Sequence, residues 1–281
     1  MAVKRVAAVN DLSGFGRCSL TVAVPVLSAM GFQVCPLPTA LLSAHTGYPG
    51  AYVRSFTEDM EAYLRHWDAL GLHFDGVYTG FLGDERQIAY LEPFVAGQKR
   101  QGTPILVDPA MADHGKLYAT CTPELARQMR RLVALADVIT PNLTEACLLT
   151  DSPLDLLTAS PSERLEEAGE IGRRLLALGC GAAVITGIAG GSGTIGNLVV
   201  EREREAYFVP SALVERGYAG TGDVFSSVLC GKLLRGLSLE KAVRDTTDFV
   251  YTVAAHTLTQ DTPEQDGIEF EPFLSALGKE E

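Results

Sequence analysis

Short, continuous apolar runs alternate along the chain with longer segments in which apolar residues recur at helical spacing. The first run, residues 6–9, ends in the polar pair Asn10-Asp11, and a segment of helical pattern follows at residues 17–30. Apolar runs of this length are typical of strands that are buried on both faces of a parallel sheet. Strands that alternate with helices predict an α/β fold, in which helices flank the sheet on both faces.

The same alternation places the remaining elements. Predicted strands lie at residues 32–37, 76–79, 105–107, 138–140 and 182–186, and predicted helices at residues 57–70, 84–101, 122–136, 162–178 and 239–259. Residues 38–50 have neither pattern and are predicted to form a loop. Residues 193–214 are typical of two short antiparallel strands joined by a charged turn. Because there is no linker and no repeat, we predict a single domain over residues 1–281, built on an open, mainly parallel sheet with a small antiparallel strand pair near 193–210.

The composition limits the partners of this domain. The 281 residues are 47% hydrophobic and carry a formal net charge of -12 at pH 7. This charge argues against a nucleic-acid partner, which needs a clustered basic surface. It leaves a phosphate ligand open, because local dipoles and metal ions can hold an anion. No apolar run is long enough to span a membrane, and the N-terminus lacks the pattern of a signal peptide, so we expect a cytoplasmic protein.

The cysteines agree with a reducing compartment. Cysteines stand at positions 18, 35, 121, 147, 180 and 230, without any C-x-x-C pair. They fall within apolar or helical segments, and this placement predicts buried, free thiols.

Polar residues follow most of the predicted strands. In open parallel sheets, ligands bind at the carboxyl ends of the strands, so these residues should collect along one rim. They are Asn10-Asp11, His45-Thr46-Gly47, Thr79-Gly80, Asp108-Pro109, Thr140-Pro141-Asn142 and Thr186-Gly187. The sequence therefore predicts a ligand site on this rim of the sheet.

A glycine turn that leads directly into a helix adds one more carboxylate. The turn is Gly220-Thr221-Gly222-Asp223. Its glycines allow a close backbone approach, and the free N–H groups at a helix start attract anions. A carboxylate would repel an anion there, so Asp223 is either a plain helix cap or a functional group. Its position at the positive end of a helix dipole predicts a lowered pKa.

Two common nucleotide sites fit this sequence poorly. No Gly-Lys pair fits the phosphate-loop pattern G-x-x-x-x-G-K-[ST], and this excludes a Walker-type site. A dinucleotide-binding fold is hinted at by Gly14-Phe15-Gly16, but it requires an acidic residue at the end of the second strand. No Asp or Glu occurs between Asp11 and Glu58.

A kinase that holds its nucleotide without a Walker lysine accounts for the carboxylates better. Such an enzyme needs magnesium on the phosphates, donors for the transferred phosphoryl group and a base for the attacking hydroxyl. Asp223 would be the base, while Asp108 and Glu145 are oxygen ligands of the kind that Mg²⁺ prefers. From the residues alone the structural alternatives stay open: Asp108 can cap the turn before Pro109, and Glu145 can be an ordinary residue of a first helical turn.

Five motifs, in order and in register between about residue 5 and residue 260, resemble those of the ribokinase superfamily. Gly220-Thr221-Gly222-Asp223 resembles its G-x-G-D anion-hole and base motif, and Asn142-Leu143-Thr144-Glu145 resembles its N-x-x-E magnesium motif. Residues 43–48, 107–113 and 138–142 are similar to the vitamin B6 kinase branch, the pyridoxal kinases, to which the hydroxymethylpyrimidine kinases are close. The resemblance implies a ribokinase-like fold and a kinase that uses ATP and Mg²⁺ to phosphorylate the hydroxymethyl group of pyridoxal, pyridoxine or pyridoxamine.

The resemblance also implies roles for single residues. Asp223 would accept the proton of the substrate hydroxyl, and the N–H groups of Gly220, Thr221 and Gly222 would meet the phosphoryl group. The residues about the nucleotide and the metal would be Asp108, Asp113, Thr140, Asn142, Glu145, Thr186 and Gly187, with Asp108 and Glu145 nearest the metal. The substrate ring would lie against His45, Thr46 and Phe81, with Asp11 beside them. His45 can equally be a loop histidine that bonds to backbone.

Two departures from the family pattern leave the heterocycle open. Asp11 stands where the pyridoxal kinases commonly have serine, and residues 12–16 look more like the loop of the hydroxymethylpyrimidine kinases. Phe81 stands where tyrosine is frequent. A hydroxymethylpyrimidine (phosphate) kinase of thiamine synthesis, or an enzyme with both activities, is therefore the alternative within the same chemistry. A non-catalytic ligand-binding relative is the alternative of another class, and the presence of both Asp223 and Glu145 argues against it.

The resemblance implies two properties outside the substrate site, namely a homodimer and a monovalent cation such as K⁺ near the anion hole. Residues 113–121 are the segment that we expect to act as a lid. Lys116 within it can reach a phosphate or simply be solvated.

Overall fold

The strands and helices follow the predicted alternation closely. The computed structural model describes residues 2–191 and 193–278. The strands are β1 (Arg5–Ser13), β2 (Gln33–Leu42), β3 (Val53–Ser55), β4 (Gly76–Thr79), β5 (Ile105–Val107), β6 (Ala112–Asp113), β7 (Lys116–Leu117), β8 (Val138–Ile139), β9 (Ala182–Ala189), β10 (Thr194–Glu201) and β11 (Tyr207–Ala212). The helices are α1 (Ser19–Ala29), α2 (Thr57–Ala69), α3 (Arg86–Arg100), α4 (Pro123–Val133), α5 (Leu143–Leu149), α6 (Pro161–Ala177), α7 (Thr221–Leu234), α8 (Leu239–Thr259) and α9 (Leu274–Leu277).

One sheet organises the described residues, with the strand order β11-β10-β9-β8-β5-β4-β1-β2-β3. The six strands from β9 to β2 in this order are parallel to one another. The strands β3, β10 and β11 pair antiparallel at the two edges. The predicted antiparallel pair is β10 and β11, and it extends the main sheet. The short strands β6 and β7 form a separate hairpin within the segment expected to be a lid.

The first two strands are longer than the sequence pattern predicts. Strand β1 continues to Ser13, so Asn10 and Asp11 lie inside it, and β2 continues to Leu42 through residues that we predicted as loop. A register shift after Asn10 lets the two strands stay paired over this extension. Pro36 and Pro38 make the extension of β2 hard to predict from the sequence. Proline cannot donate a hydrogen bond to a neighbouring strand, so its presence usually argues against a strand.

Helices cover both faces of the sheet and give two hydrophobic clusters. Val77, Ile105 and Val107 face the cluster under α2 to α6, whereas Tyr78 and Leu106 face the cluster under α1, α7, α8 and α9. This alternation within β4 and β5 follows from the two-residue period of a strand. It confirms the predicted class of an open, mainly parallel sheet that is flanked on both faces.

The six cysteines are free thiols in the structure. Cys18, Cys147, Cys180 and Cys230 are buried free thiols, as predicted, whereas Cys35 and Cys121 are free but only half-buried. Over residues 2–191 and 193–278, no helix combines the length and the apolar character needed to span a bilayer.

Candidate active site

A cavity of about 1130 Å³ lies at the carboxyl ends of the parallel strands. The residues that the sequence singled out all line it, although they come from separate elements. They are Asp11, His45, Thr46, Phe81, Asp108, Asp113, Thr140, Asn142, Glu145, Thr186, Gly187, Gly220, Thr221, Gly222 and Asp223. The fold therefore brings the predicted site residues to one place.

The glycine turn ends in a helix start without a side-chain cap. Gly220 is the N-cap of α7 and has a left-handed backbone with φ of 73°. A Cβ atom there would lie 1.8 Å from the carbonyl oxygen of Arg17, so only glycine fits. The Thr221 hydroxyl donates to the carbonyl of Tyr218 at 2.8 Å. Because no side chain caps the start of α7, the backbone N–H groups of the turn remain for a ligand. Asp223 is the third residue of the helix, and its interpretation as a mere N-cap is therefore wrong.

The Asp223 carboxylate is half-buried and has few donors. The Asn10 side-chain amide donates to its Oδ1 at 3.4 Å, and the backbone N–H of Ser19 also faces it. Burial raises the pKa of Asp223 to about 7; the Ser19 N–H lowers it, and the charge of Asp11 raises it further. Our expectation of a lowered pKa is therefore wrong, because loss of solvation outweighs the helix dipole. A base whose pKa is near neutral is well matched to proton transfer.

Asp108 is a second buried carboxylate, and like Asp223 it is connected with helix α7, here through a hydrogen bond. Its Oδ2 accepts from the Ser226 hydroxyl at 2.9 Å, and Ser226 is also 2.8 Å from the hydroxyl of Thr140. Burial raises the pKa of Asp108 well above its usual value, and the nearby charge of Asp223 adds to the rise. The side chain thus links the end of β5 to α7, across the cavity floor.

Glu145 is held by three backbone N–H groups. It is the third residue of α5 and forms a capping box with Asn142, whose N–H donates to Oε2 at 2.9 Å. Its Oε1 accepts from the N–H groups of Met111 and Ala112 at 3.0 and 3.4 Å. Burial raises its pKa, followed by the charge of Asp108, while these hydrogen bonds lower it. Glu145 is therefore a first-turn helix residue, as the structural alternative had it, and it also fixes the segment after Asp108.

Asp108 and Glu145 are the two carboxylates that the sequence assigned to a Mg²⁺ ion. Within residues 2–191 and 193–278, no group of three or more His, Cys, Asp and Glu side chains could hold a metal ion. The donors that reach Asp108 and Glu145 are neutral hydroxyl and N–H groups, and buried carboxylates in such a setting favour a cation nearby. Mg²⁺ commonly uses one or two carboxylates, several waters and the phosphates of its substrate, so the residues fit an ion carried on a nucleotide.

Both ring nitrogens of His45 are bonded to backbone. Its Nδ1 accepts from the N–H of Gly47 at 3.1 Å, and its Nε2 lies 2.7 Å from the carbonyl oxygen of Gln265. The proton therefore sits on Nε2, which donates to Gln265. The alternative of a backbone-bonded loop histidine is confirmed, and the ring still lines the cavity.

Asp11 is buried and already has donors on each oxygen. Its Oδ2 accepts from the Ser13 hydroxyl at 2.8 Å, and its Oδ1 accepts a short hydrogen bond from the Ser19 hydroxyl. Burial raises the pKa of Asp11, and the two hydroxyls lower it. Ser19 itself has a left-handed backbone with φ of 52° at the start of α1, so Asp11 braces a strained turn.

At the end of the cavity formed by β9 and the residues after β8, backbone groups make most of the hydrogen bonds. Asn142 donates to the carbonyl of Ala112 at 2.7 Å and pairs with Thr186 in a parallel bridge. The N–H of Gly187 faces the Asn197 side chain at 3.4 Å. Asp113 lies on the β6–β7 hairpin with a half-exposed side chain.

Four polar residues near the cavity were not assigned a site role from the sequence. Ser226 could have been found, because it follows Asp223 by three residues on an apolar helix and must share its face. Asn197 is a buried amide in an apolar strand, which is also a readable signal. Asn10 was seen only as part of the rim, and nothing in the sequence marks the left-handed turn at Ser19.

The chain is similar to known kinases over most of its length. The family model described as phosphomethylpyrimidine kinase matches residues 56–265. A curated pyridoxine/pyridoxal/pyridoxamine kinase of Bordetella avium is 32% identical over 263 residues, which cover 89% of this chain and 84% of the relative.

Two solved structures share the fold over nearly the whole chain. A Bacteroides thetaiotaomicron protein assigned to the phosphomethylpyrimidine kinases, crystallised with pyridoxal, is 38% identical with a TM-score of 0.92, covering 99% of this chain and 96% of its own. The pyridoxal kinase of Lactobacillus plantarum is 29% identical with a TM-score of 0.88, covering 98% and 97%. They confirm the predicted ribokinase-like fold.

Proposed function

The chain belongs to the phosphomethylpyrimidine kinase family, and from this premise we propose that it transfers the γ-phosphoryl group of ATP to the hydroxymethyl group of pyridoxal, pyridoxine or pyridoxamine. Its curated relatives confirm the resemblance to the vitamin B6 kinase branch. The observation that carries the proposal is Asp223: a carboxylate of near-neutral pKa that stands in a helix start with free N–H groups and faces the cavity.

Asp223 acts on the hydroxyl proton in this proposal. Its carboxylate accepts the proton as the substrate oxygen bonds to phosphorus, and the leaving oxygen stays with ADP. The backbone N–H groups of Gly220, Thr221 and Gly222 bind the oxygens of the transferred group, as a helix start does for an anion. Because this transition state is loose, positioning and charge stabilisation contribute more than the strength of the base.

Asp108 and Glu145 would hold Mg²⁺ in this proposal. The ion would neutralise charge on the phosphates and so make a phosphate compatible with the carboxylate of Asp223. Both oxygens of Glu145 already accept from backbone N–H groups, so Glu145 would act on the ion through water, as Mg²⁺ often prefers. A monovalent cation such as K⁺ near the anion hole is part of the same proposal.

The two ends of the cavity receive the two substrates. The nucleotide lies at the end formed by β9 and the residues after β8. It is near the residues Asp113, Thr140, Asn142, Thr186 and Gly187. The heterocycle lies at the other end, near the residues Asp11, His45, Thr46 and Phe81. Phe81 offers an apolar face that is 8% exposed, which suits a planar ring.

Turnover of the vitamers tests the proposal. Purified protein is incubated with ATP, MgCl₂ and KCl and offered pyridoxal, pyridoxine or pyridoxamine, and the phosphate esters are quantified. We expect a phosphate ester from at least one vitamer, and its loss when EDTA removes the divalent ion. Absence of turnover with every vitamer refutes the B6 assignment.

Hydroxymethylpyrimidine kinase is the second candidate, and two observations favour it. The matching family model is the phosphomethylpyrimidine kinase model, and Asp11 stands where the pyridoxal kinases commonly have serine. The same assay therefore includes hydroxymethylpyrimidine and its monophosphate. Turnover of the pyrimidine alone reverses the order of the candidates, and turnover of both makes the enzyme bifunctional.

We propose a cytoplasmic homodimer as the working form. Four apolar side chains at the β3 edge of the sheet are 40% or more exposed: Leu12 on β1, Leu41 on β2, Val53 on β3, and Tyr52 directly before β3. Exposed apolar groups of this kind often mark a protein contact. Light scattering on the purified protein should give twice the chain mass of 30.1 kDa, and a monomer would contradict the proposal. Fractionation of the native cells tests the compartment.

A further inference from the structure

Asn10 is a buried amide with hydrogen bonds to Asp223 and to the backbone of Phe81, two residues that line the cavity. We propose that Asn10 positions the carboxylate of Asp223 and ties it to the ring end of the cavity. The inference rests on the proposed function, since it assigns Asp223 as the base. Asn10 itself does not touch the reacting atoms and acts only through Asp223.

The orientation of the Asn10 amide follows from its partners. Its Oδ1 accepts from the N–H groups of Phe81 at 2.8 Å and Asp11 at 3.0 Å. Two N–H donors can only meet the oxygen of an amide, so the nitrogen must point the other way. There it donates to Oδ1 of Asp223 at 3.4 Å. This contact is long for a hydrogen bond, and contacts of this kind tighten when the substrate complex forms.

The packing leaves the amide no second position. Asn10 is 1% exposed and lies on β1, between β2 and β4. A Cβ atom built on Gly80 would lie 2.3 Å from Nδ2 and 2.6 Å from Cγ of Asn10. Gly80 therefore leaves the space that the amide occupies. Its φ is not in the left-handed region, so the glycine is needed for room and not for its backbone conformation.

One side chain thus spans the base and the ring pocket. The Phe81 N–H, the Asn10 amide and the Asp223 carboxylate are linked by consecutive hydrogen bonds, from the segment after β4 to α7. A ring that lies against Phe81 is thereby set at a defined distance from the carboxylate that must receive its proton. Small errors in such a distance reduce the rate of the chemical step much more than they weaken binding.

A purely structural role for Asn10 makes a different prediction. If the amide served only to satisfy the N–H groups of Phe81 and Asp11, its loss would lower the melting temperature and leave the kcat of the folded fraction unchanged. The Asn10→Asp variant separates these roles, because it keeps an acceptor for both N–H groups and replaces the donor to Asp223 by a carboxylate oxygen.

For Asn10→Asp we expect a kcat that is roughly tenfold to a hundredfold lower, because a hydrogen bond to a charged group is lost. The KM values for vitamer and ATP should stay within about twofold, since neither touches Asn10. The acid limb of the kcat/KM profile should move to higher pH, because a new carboxylate beside Asp223 disfavours its ionised form. The other titratable groups that face Asp223 are unchanged in the variant, and they are Asp11, Cys18, Tyr78, Asp108 and Tyr118.

A second variant removes the complication of the added charge. Gly80→Ala keeps every charge and pushes the Asn10 amide away from Asp223 through its new methyl group. We expect it to lower kcat in the same direction with little change in KM. The matched control is Thr103→Val, which removes another buried side-chain hydrogen bond, to the carbonyl of Phe74, far from the cavity. It should lower stability and leave kcat unchanged.

The outcomes separate this inference from the proposed function. A wild-type protein that phosphorylates none of the offered alcohols refutes the function, and the inference falls with it. Active wild type with unchanged kcat in folded Asn10→Asp and Gly80→Ala refutes the inference alone. If Asn10→Asp does not fold, Gly80→Ala decides, and a kcat equal to that of Thr103→Val overturns the positioning role.

Discussion

Glu145 and Asp223 occupy the same position, the third residue, of two helices that start on the same rim of the sheet. Helix α5 has Asn142 as its cap, and the Glu145 carboxylate completes the capping box and accepts from three backbone N–H groups. Helix α7 has Gly220 as its cap, which has no side chain to bond the first turn. Its N–H groups and its third-position carboxylate are therefore left for a ligand.

The difference shows how the cap residue decides the use of an acidic side chain. A polar cap draws the first turn into internal hydrogen bonds, so the carboxylate stabilises the fold. A glycine cap leaves a site that attracts an anion next to a carboxylate that would repel it. Such a turn is unfavourable for the free protein, and in the proposed mechanism a cation-bound phosphate would offset this cost.

The largest expected effect comes from Asp223→Asn. General-base catalysis contributes typically about a hundredfold to ten-thousandfold, so kcat should fall by that range while ATP binding persists. Steady-state kinetics and nucleotide titration by calorimetry measure the two quantities. The control Glu145→Gln should keep more activity per folded molecule, and an equal loss in both variants would contradict the comparison.

Next in size is Gly220→Ala. The added Cβ atom meets the carbonyl of Arg17 at 1.8 Å, and the backbone is left-handed, so the turn must shift. We expect the free energy of unfolding to fall by about 1–3 kcal/mol, together with kcat, because a left-handed non-glycine residue is strained. The control is Gly217→Ala, whose Cβ atom would meet no atom within 4 Å. Chemical denaturation should separate the two variants, and equal stability would argue against the required glycine.

Glu145→Gln should act on stability before catalysis. The amide nitrogen cannot accept from the backbone N–H groups of Asn142, Met111 or Ala112, so at least one of these donors loses its partner. This costs about 1–3 kcal/mol, measured as a lower midpoint of urea unfolding. The KM for MgATP should rise as well if Glu145 helps to hold the ion. A variant as stable as the wild type would show that the capping box is not the main role of Glu145.

The dependence of kcat/KM and of stability on pH tests the role of Asp223 in the unmutated protein. Asp223 must be ionised to accept a proton, so kcat/KM should fall as the pH drops through about 7, and Asp223→Asn should lack this limb. The raised pKa has the opposite consequence for stability. The folded state binds the proton more tightly than the unfolded chain does, so the ionised carboxylate destabilises the fold, fully so above its folded pKa. Asp223→Asn should therefore raise the melting temperature at pH 8 and lose this advantage towards pH 4.

The smallest effect belongs to Asp113→Asn. Its side chain is 50% exposed, and interactions of exposed charges are weak. The KM for MgATP should change by less than about fivefold, in line with such weak coupling. Glu205→Gln, an exposed residue outside the cavity, is the reference and should show no change. A tenfold loss of kcat in Asp113→Asn would move this residue into the group of Asp223.

The sequence predicted more of the framework than of the chemistry. Strands β4 and β5 and helices α2 and α8 lie within a residue of their predicted bounds, because their apolar periodicity is undisturbed. The extension of β2 escaped prediction since prolines interrupt its pattern. The rim location of the polar residues followed from their place directly after the predicted strands, without knowledge of any contact.

The raised pKa of Asp223 could not be predicted without the tertiary structure. A helix start alone favours the ionised carboxylate, and only the surrounding protein shows that burial outweighs this effect. The contribution of Asn10 was equally hidden, because its partners Phe81 and Asp223 are 71 and 213 residues away. No local pattern carries information about such pairs.

The bond between His45 and Gln265 joins positions 220 residues apart. Tyr48 makes a similar bond to Asp266, across 218 residues. A chain emerging from the ribosome therefore makes one wall of the ring pocket early and the groups that hold it in place only near the end of synthesis. Unfinished chains of this protein should therefore bind the proposed ring substrate weakly, since this pocket wall is unanchored until translation is almost complete.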